Sequence, residues 1–88
     1  MRRSRRQGLW ERLISGDLRN VGFTEFCRLI EAFGFKLRRV SGSHHIYSHP
    51  KVPRPLSLQA RDGEAKPYQI SQFLEMVEEY ALEMEPRR

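Results

Sequence analysis

This chain of 88 residues is short of the side chains that usually announce a site: one cysteine, one tryptophan and three histidines. A single cysteine excludes an internal disulfide, and Cys27 lies in the apolar-periodic segment FTEFCRLI, where it reads as a core filler rather than a reactive thiol. No apolar run approaches the roughly 18 residues of a membrane span. The start, MRRSRRQGLW, is basic but is not followed by an apolar stretch, so a cytoplasmic protein is expected. A zinc site is not expected either. The only cysteine is in a helical pattern, no spaced Cys/His quartet exists, and adjacent histidines point to opposite faces of a strand. The reading therefore includes no metal and no cofactor. The chain is long enough for one small core but not for a deep cleft, so any site is an open surface patch acting on something larger.

Acidic residues are scarce where basic ones gather. The net charge is +5, yet its distribution says more than its value. Residues 1–61 hold most of the arginines and lysines, whereas the acids concentrate after residue 61. A polyanion is expected to meet the first two-thirds of the chain, while the last helix faces water or a basic partner.

The spacing of apolar residues predicts the elements. Residues 1–7 offer no core anchor and are expected to be disordered. Leu9, Trp10, Leu13 and Ile14 share one face of a short helix that Gly16 ends, with Trp10 packing it onto the main domain. Phe26, Leu29, Ile30 and Phe33 form the stripe of a helix over about 24–33, with Thr24 as its cap and Gly34 as its left-handed terminator. A strand follows at Phe35–Arg38, burying Phe35 and Leu37. A second strand is expected at about His44–Ser48 after the turn Ser41-Gly42-Ser43. A third, at about Leu56–Gln59, should come after a loop broken by Pro50, Pro53 and Pro55. Gln59–Lys66 reads as a loop around Asp62-Gly63. Pro67 opens a closing helix whose apolar face runs through Ile70, Phe73, Leu74, Val77, Tyr80, Ala81 and Met84. The fold class is α+β: helix, three antiparallel strands, helix, with both helices on one side of the sheet and an extra short helix at the N-terminal end. The division is a basic extension over 1–20, one domain over 21–84 and a tail over 85–88.

The three histidines fall within six residues, in Gly42-Ser43-His44-His45-Ile46-Tyr47-Ser48-His49, just after Lys36-Leu37-Arg38-Arg39. Histidine exchanges a proton near neutral pH, and lysine and arginine stabilise a phosphate. Such a surface can cleave RNA, whose own 2′-hydroxyl is the nucleophile, with a histidine as general acid or base. Gly42 lets backbone approach a phosphate, Ser43 can donate a hydrogen bond to it, and Tyr47 can stack on a base or simply pack across strands. Lys36, Arg38, Arg39, Lys51, Arg54 and Arg61 surround the run as a polyanion-binding set. Alternation places His44 with Ile46 and His45 with Tyr47 and His49. If Ile46 is the core residue, parity makes His45 the exposed histidine, unless His44 sits at a ragged strand start. The spacing leaves both open. His49, before Pro50, reads as a surface or capping residue.

The segments FTEFCRLIEAFGFKLRRV, SGSHHIYSHP, LSLQ and AKPYQISQFLEMVEEY together resemble the HicA-type, or YcfA-like, toxins of toxin–antitoxin pairs over about residues 21–84. The resemblance implies a fold like a double-stranded-RNA-binding domain and metal-independent endoribonuclease activity on messenger RNA. It makes the histidine of Gly-Ser-His, here His44, the catalytic one. It also implies a HicB-like antitoxin partner, and it aligns Lys66-Pro67 with the family's opening of the last helix. The expected RNA-binding set is then Lys36, Arg38, Arg39, Gly42, Ser43, His45, Tyr47, Lys51, Arg54 and Lys66. Two other functions fit the same residues: a noncatalytic RNA-binding module, or a protein-interaction domain using the acidic helix or Trp10.

Overall fold

The apolar stripe of FTEFCRLIEA winds into helix α2, Phe23–Ala32, and buries Phe26, Cys27, Leu29 and Ile30. The computed structural model describes residues 5–85. Thr24 was expected to cap α2, but Gly22 is the cap. Extended at φ −62°, ψ 136°, Gly22 accepts the Phe26 N–H with its carbonyl at 2.9 Å, which leaves Thr24 inside the first turn. The far end closes as expected. Gly34 adopts φ +96°, its N–H donates to Glu31 O, and the Phe35 N–H donates back to Ile30 O. This pair of bonds is a Schellman motif, and it delivers Phe35 into the core at 2% exposure.

Helix α1 spans Arg5–Ile14, so residues 5–7 are ordered where disorder was expected; residues 1–4 of that stretch lie outside the described residues. The first turn carries no core anchor, but Trp10 and Leu13 dock the helix. The Trp10 ring lies 4.8 Å from Phe33 and 6.3 Å from Phe73, and Leu13 is buried. Ile14, expected on the inner face, is 59% exposed at the end of the helix. The chain then turns at Asp17, whose carboxylate accepts the Arg19 N–H and the Arg12 side chain.

Four strands form one antiparallel sheet in the order β1 (Lys36–Ser41), β2 (His44–His49), β3 (Val52–Arg61) and β4 (Glu64–Ala65). Three expectations are corrected here. β3 runs through Pro53 and Pro55 because β4 pairs only with Ala60 and Arg61. The proline stretch therefore has a free outer edge where a missing N–H costs no ladder bond. The loop expected over 59–66 is instead a hairpin. Asp62 at φ 52° and Gly63 at φ 78° make the tight turn that an Asp-Gly pair favours, and Val21 O and Gly63 O tie β4 to the chain before α2. Leu37 is 45% exposed rather than buried, because the helices lie over β3 and β4 and leave the β1 edge uncovered.

Helix α3, Pro67–Glu79, begins at Pro67 as expected. Phe73 is the hub of the core, its ring 5.6 Å from Phe26, 5.3 Å from Phe33 and 5.9 Å from Phe35. The helix was expected to continue through Met84 but stops at Tyr80. Ala81 turns left-handed at φ 51°, the Leu82 N–H donates to Val77 O, and Leu82 is folded into the core. Alanine in the position that glycine usually fills hid this terminator. The Glu85 N–H then donates to Ala32 O, and the rest of the expected tail, 86–88, lies outside the described residues. Helices α2 and α3 pack on one face of the sheet, as expected, in the arrangement of a double-stranded-RNA-binding domain, and α1 packs on α2. The other face is open.

Candidate active site and nucleic-acid interface

Which histidine meets solvent depends on which residue of β2 anchors the strand, and that residue is Tyr47, not Ile46. Tyr47 is 2% exposed and donates its hydroxyl to Glu31 Oε2 on α2 at 3.1 Å. Burial, with the Cys27 thiol and Glu31 carboxylate beside it, pushes the Tyr47 phenol well above its ordinary value, so it stays a protonated donor. Cys27 is likewise pushed up, chiefly by burial. His45 and His49 share the Tyr47 side and set their rings against Phe23 and Phe35, each at 5.0 Å. The parity expectation is thereby reversed: His44, Ile46 and Ser48 occupy the open face.

Two members of the expected RNA-binding set change position for the same reason. Tyr47 is in the core and has no surface to offer a base. His45 is half-buried on the helix side, with its Nδ1 buried and unpartnered among the described residues. His49 is a clamp. Its Nδ1 accepts the Lys51 N–H at 3.0 Å, which assigns the ring proton to Nε2, and Nε2 donates to Phe33 O at 2.9 Å.

His44 is the first residue of β2 after the two-residue turn Gly42-Ser43, and Gly42 takes φ +61°. It is exposed, and its side chain has no hydrogen-bond partner among the described residues. Ser41 on β1 and Gln59 on β3 lie directly across from it. The Gln59 N–H donates away from β2, to Gln69 Oε1 on α3 at 3.1 Å. His44 and Gln59 are thus a pair without direct backbone bonds, the kind in which side chains approach most closely. The Gln59 amide reaches Ser43 Oγ at 2.7 Å and Lys66 Nζ at 3.0 Å.

The basic residues divide into two groups. Lys36 and Arg39 lie on the open face opposite Ser48 and Ile46, and Arg38 Nε donates to Ser48 Oγ at 2.6 Å, so all three line the β1 side of that face. Arg39 is the nearest to His44 in register, and Lys36 and Arg38 are by Ser48, about 13 Å along the strand. Arg61 shares the face of Gln59 two residues on, and Lys66 joins it at a shallow groove whose lip is Tyr68, 59% exposed. The others are elsewhere. Lys51 is in the turn beyond the far end of β2, about 16 Å along the strand from His44. Arg54 faces Glu79 of α3 at 3.7 Å.

Gln59, Tyr68 and the 3%-exposed Gln69 were missed in the sequence. Alternation from Leu56 and Leu58 already turned Gln59 outward, but only the strand register puts it beside His44. Among the described residues no three His, Cys, Asp or Glu side chains converge as a metal-binding group, and no helix is long and apolar enough to cross a membrane.

The family model described as the HicA toxin of bacterial toxin–antitoxin systems matches residues 23–78, from the start of α2 into the end of α3. No curated protein and no solved structure gives a significant match. With more than half of its length matched, and with the helix, sheet and helix described above inside the match, the chain belongs to the HicA toxin family.

Proposed function

We propose that this protein is the toxin of a toxin–antitoxin pair and that it cleaves messenger RNA, with His44 as the general acid or base and no metal or cofactor required. One arrangement supports the reading: a solvent-facing histidine without a side-chain partner among the described residues, with Ser43 and Lys66 to one side and with Arg39, then Lys36 and Arg38, along the β1 side of the same face. As base, His44 takes the proton of the RNA 2′-hydroxyl. The 2′-oxygen then attacks the adjacent phosphorus, and the bond from phosphorus to the 5′-oxygen breaks. The leaving oxygen collects a proton from water, and the products end in a 2′,3′-cyclic phosphate and a 5′-hydroxyl. Cationic side chains stabilise the extra charge of the pentavalent transition state. One positioned histidine contributes about 10²–10⁴-fold, enough for a slow enzyme acting on many transcripts. A HicB-like antitoxin silences the domain by covering the open face.

The test is cleavage of a single-stranded RNA in EDTA by wild type and by His44→Ala. Loss of cleavage in a folded variant supports the assignment, and unchanged cleavage ends it.

A further inference from the structure

We infer that Ser43, Gln59 and Lys66 form a phosphate-binding subsite beside His44, with Gln59 as its positioning residue. The inference rests on the RNA reading above and deepens it. It begins with a hydrogen-bond inventory. Lysine has three N–H donors and no acceptor, so the atom of Gln59 that meets Lys66 Nζ at 3.0 Å is its oxygen. That fixes the amide. Its NH₂ group then faces Ser43, and the 2.7 Å contact is a bond donated by Gln59 and accepted by Ser43 Oγ.

Two consequences follow for the neighbours. With a lone pair of Ser43 engaged, the hydroxyl proton is turned away from Gln59 and is free to donate to another group. Lys66 keeps two N–H donors beyond the one that Gln59 accepts. A neutral amide thus aligns a hydroxyl and an ammonium as donors on the His44 side of the sheet without lowering the local positive charge. An anion with several acceptor oxygens matches this set, and an RNA phosphodiester is such an anion. No acid competes for Lys66, whose side chain bonds only to Gln59 among the described residues.

The support behind Gln59 is built in the same way. Its N–H donates to Oε1 of Gln69, a side chain 3% exposed on α3, and the Gln69 amide NH₂ donates to the Tyr68 hydroxyl at 3.3 Å. The buried amide pins β3 to the first turn of α3, the same turn that Lys66 precedes. The spacing between Gln59 and Lys66 is therefore held by the backbone as well as by the side chains.

The experiment uses the full chain and a short fluorescent single-stranded RNA. Gln59→Leu removes both bonds. Gln59→Glu keeps the acceptor for Lys66 but loses the donor to Ser43 and captures the serine proton. Each is measured for kcat and KM, and for RNA affinity in a His44→Ala background where no cleavage interferes. Both variants should raise KM and the dissociation constant about tenfold, the size of one lost charge-assisted bond, with kcat changing less. Ser43→Ala added to Gln59→Glu should weaken binding no further, since the serine donor is already lost. Folded Gln59→Leu and Gln59→Glu proteins with unchanged KM and affinity would overturn the subsite, as would full additivity of Ser43→Ala with Gln59→Glu. Wild-type cleavage by His44→Ala would instead overturn the catalytic reading, while the affinity measurements still decide on Gln59.

Discussion

His44 of β2 and Gln59 of β3 face one another as a cross-strand pair on the open side of the sheet. A strand start beside a glycine turn leaves the histidine in solvent, and the bond from the Gln59 N–H to Gln69 turns its backbone away from β2. In the reading proposed above, the proton-transfer group and the amide that aligns the anion's donors thus sit side by side on two neighbouring strands, with Ser43 in the turn before β2 and Lys66 just ahead of α3.

The two groups of basic residues give the first prediction. Lys36→Ala and Arg39→Ala, on the His44 face, should weaken RNA binding and each lower the slope of log affinity against log salt by about 1. Lys51→Ala and Arg54→Ala lie beyond the far end of β2 and against Glu79, and should leave the slope close to wild type. Titrations at several salt concentrations test this, and equal effects from all four would remove the β1 side as the RNA track.

Tyr47 predicts a pH dependence. Its phenol is raised in the folded state above the ordinary value near 10. The unfolded chain therefore loses the proton first, and above about pH 10 the unfolded state binds fewer protons than the folded one. Stability from this group is complete below about pH 10 and falls as pH rises toward the folded value. Tyr47→Phe should lose about 1 kcal/mol at neutral pH, from the bond to Glu31, and decline less steeply in alkali. Cys27, raised by burial, begins a similar decline at lower pH in both proteins. Urea unfolding at about pH 7 and about pH 10.5 compares the two slopes, and parallel slopes would refute the role given to the phenol.

What could be read in advance was what depends on local spacing. The Phe26, Leu29, Ile30 stripe, the Gly34 terminator and the Pro67 start each follow from a few neighbouring residues. What escaped depends on tertiary context. Hydropathy favoured Ile46 over Tyr47 as the anchor of β2, but the helices meet the sheet with aromatic rings, and a tyrosine long enough to reach Glu31 suits that layer better. Pro53 and Pro55 read as breakers until β3 is known to have a free edge. The pairing of Gln59 with His44 is a matter of register, which composition does not encode.

Ala81 offers a stability prediction. It holds φ 51° at the end of α3, a conformation that costs a residue with a Cβ about 1–2 kcal/mol. Ala81→Gly relieves that cost but gives the unfolded chain more freedom, worth about 0.4–1 kcal/mol in the other direction. The net expectation is a stabilisation of roughly 0.5–1 kcal/mol, or about 2–8 °C in Tm for a domain of this size. Ala81→Val should destabilise, because a β-branched side chain fits the left-handed region worse. Thermal unfolding of both variants decides the point, and a Tm for Ala81→Gly below wild type would contradict it.

The three histidines should respond to substitution in three different ways. His44→Ala removes a side chain with no partner among the described residues, so stability should stay within about 0.5 kcal/mol of wild type while RNA cleavage is lost. His49→Ala strips the hydrogen bonds from Phe33 O and the Lys51 N–H and the ring packed on Phe35. It should cost about 1–3 kcal/mol and leave cleavage per folded molecule unchanged. His45→Phe replaces a ring whose buried Nδ1 has no partner among the described residues with an apolar ring that can keep the contact to Phe23. Stability should hold or rise by up to about 1 kcal/mol, with cleavage retained. Denaturant midpoints and RNA cleavage measured together on all three proteins separate the roles. A His45→Phe variant that is stable but inactive would move the chemistry to the helix side of the sheet and away from His44.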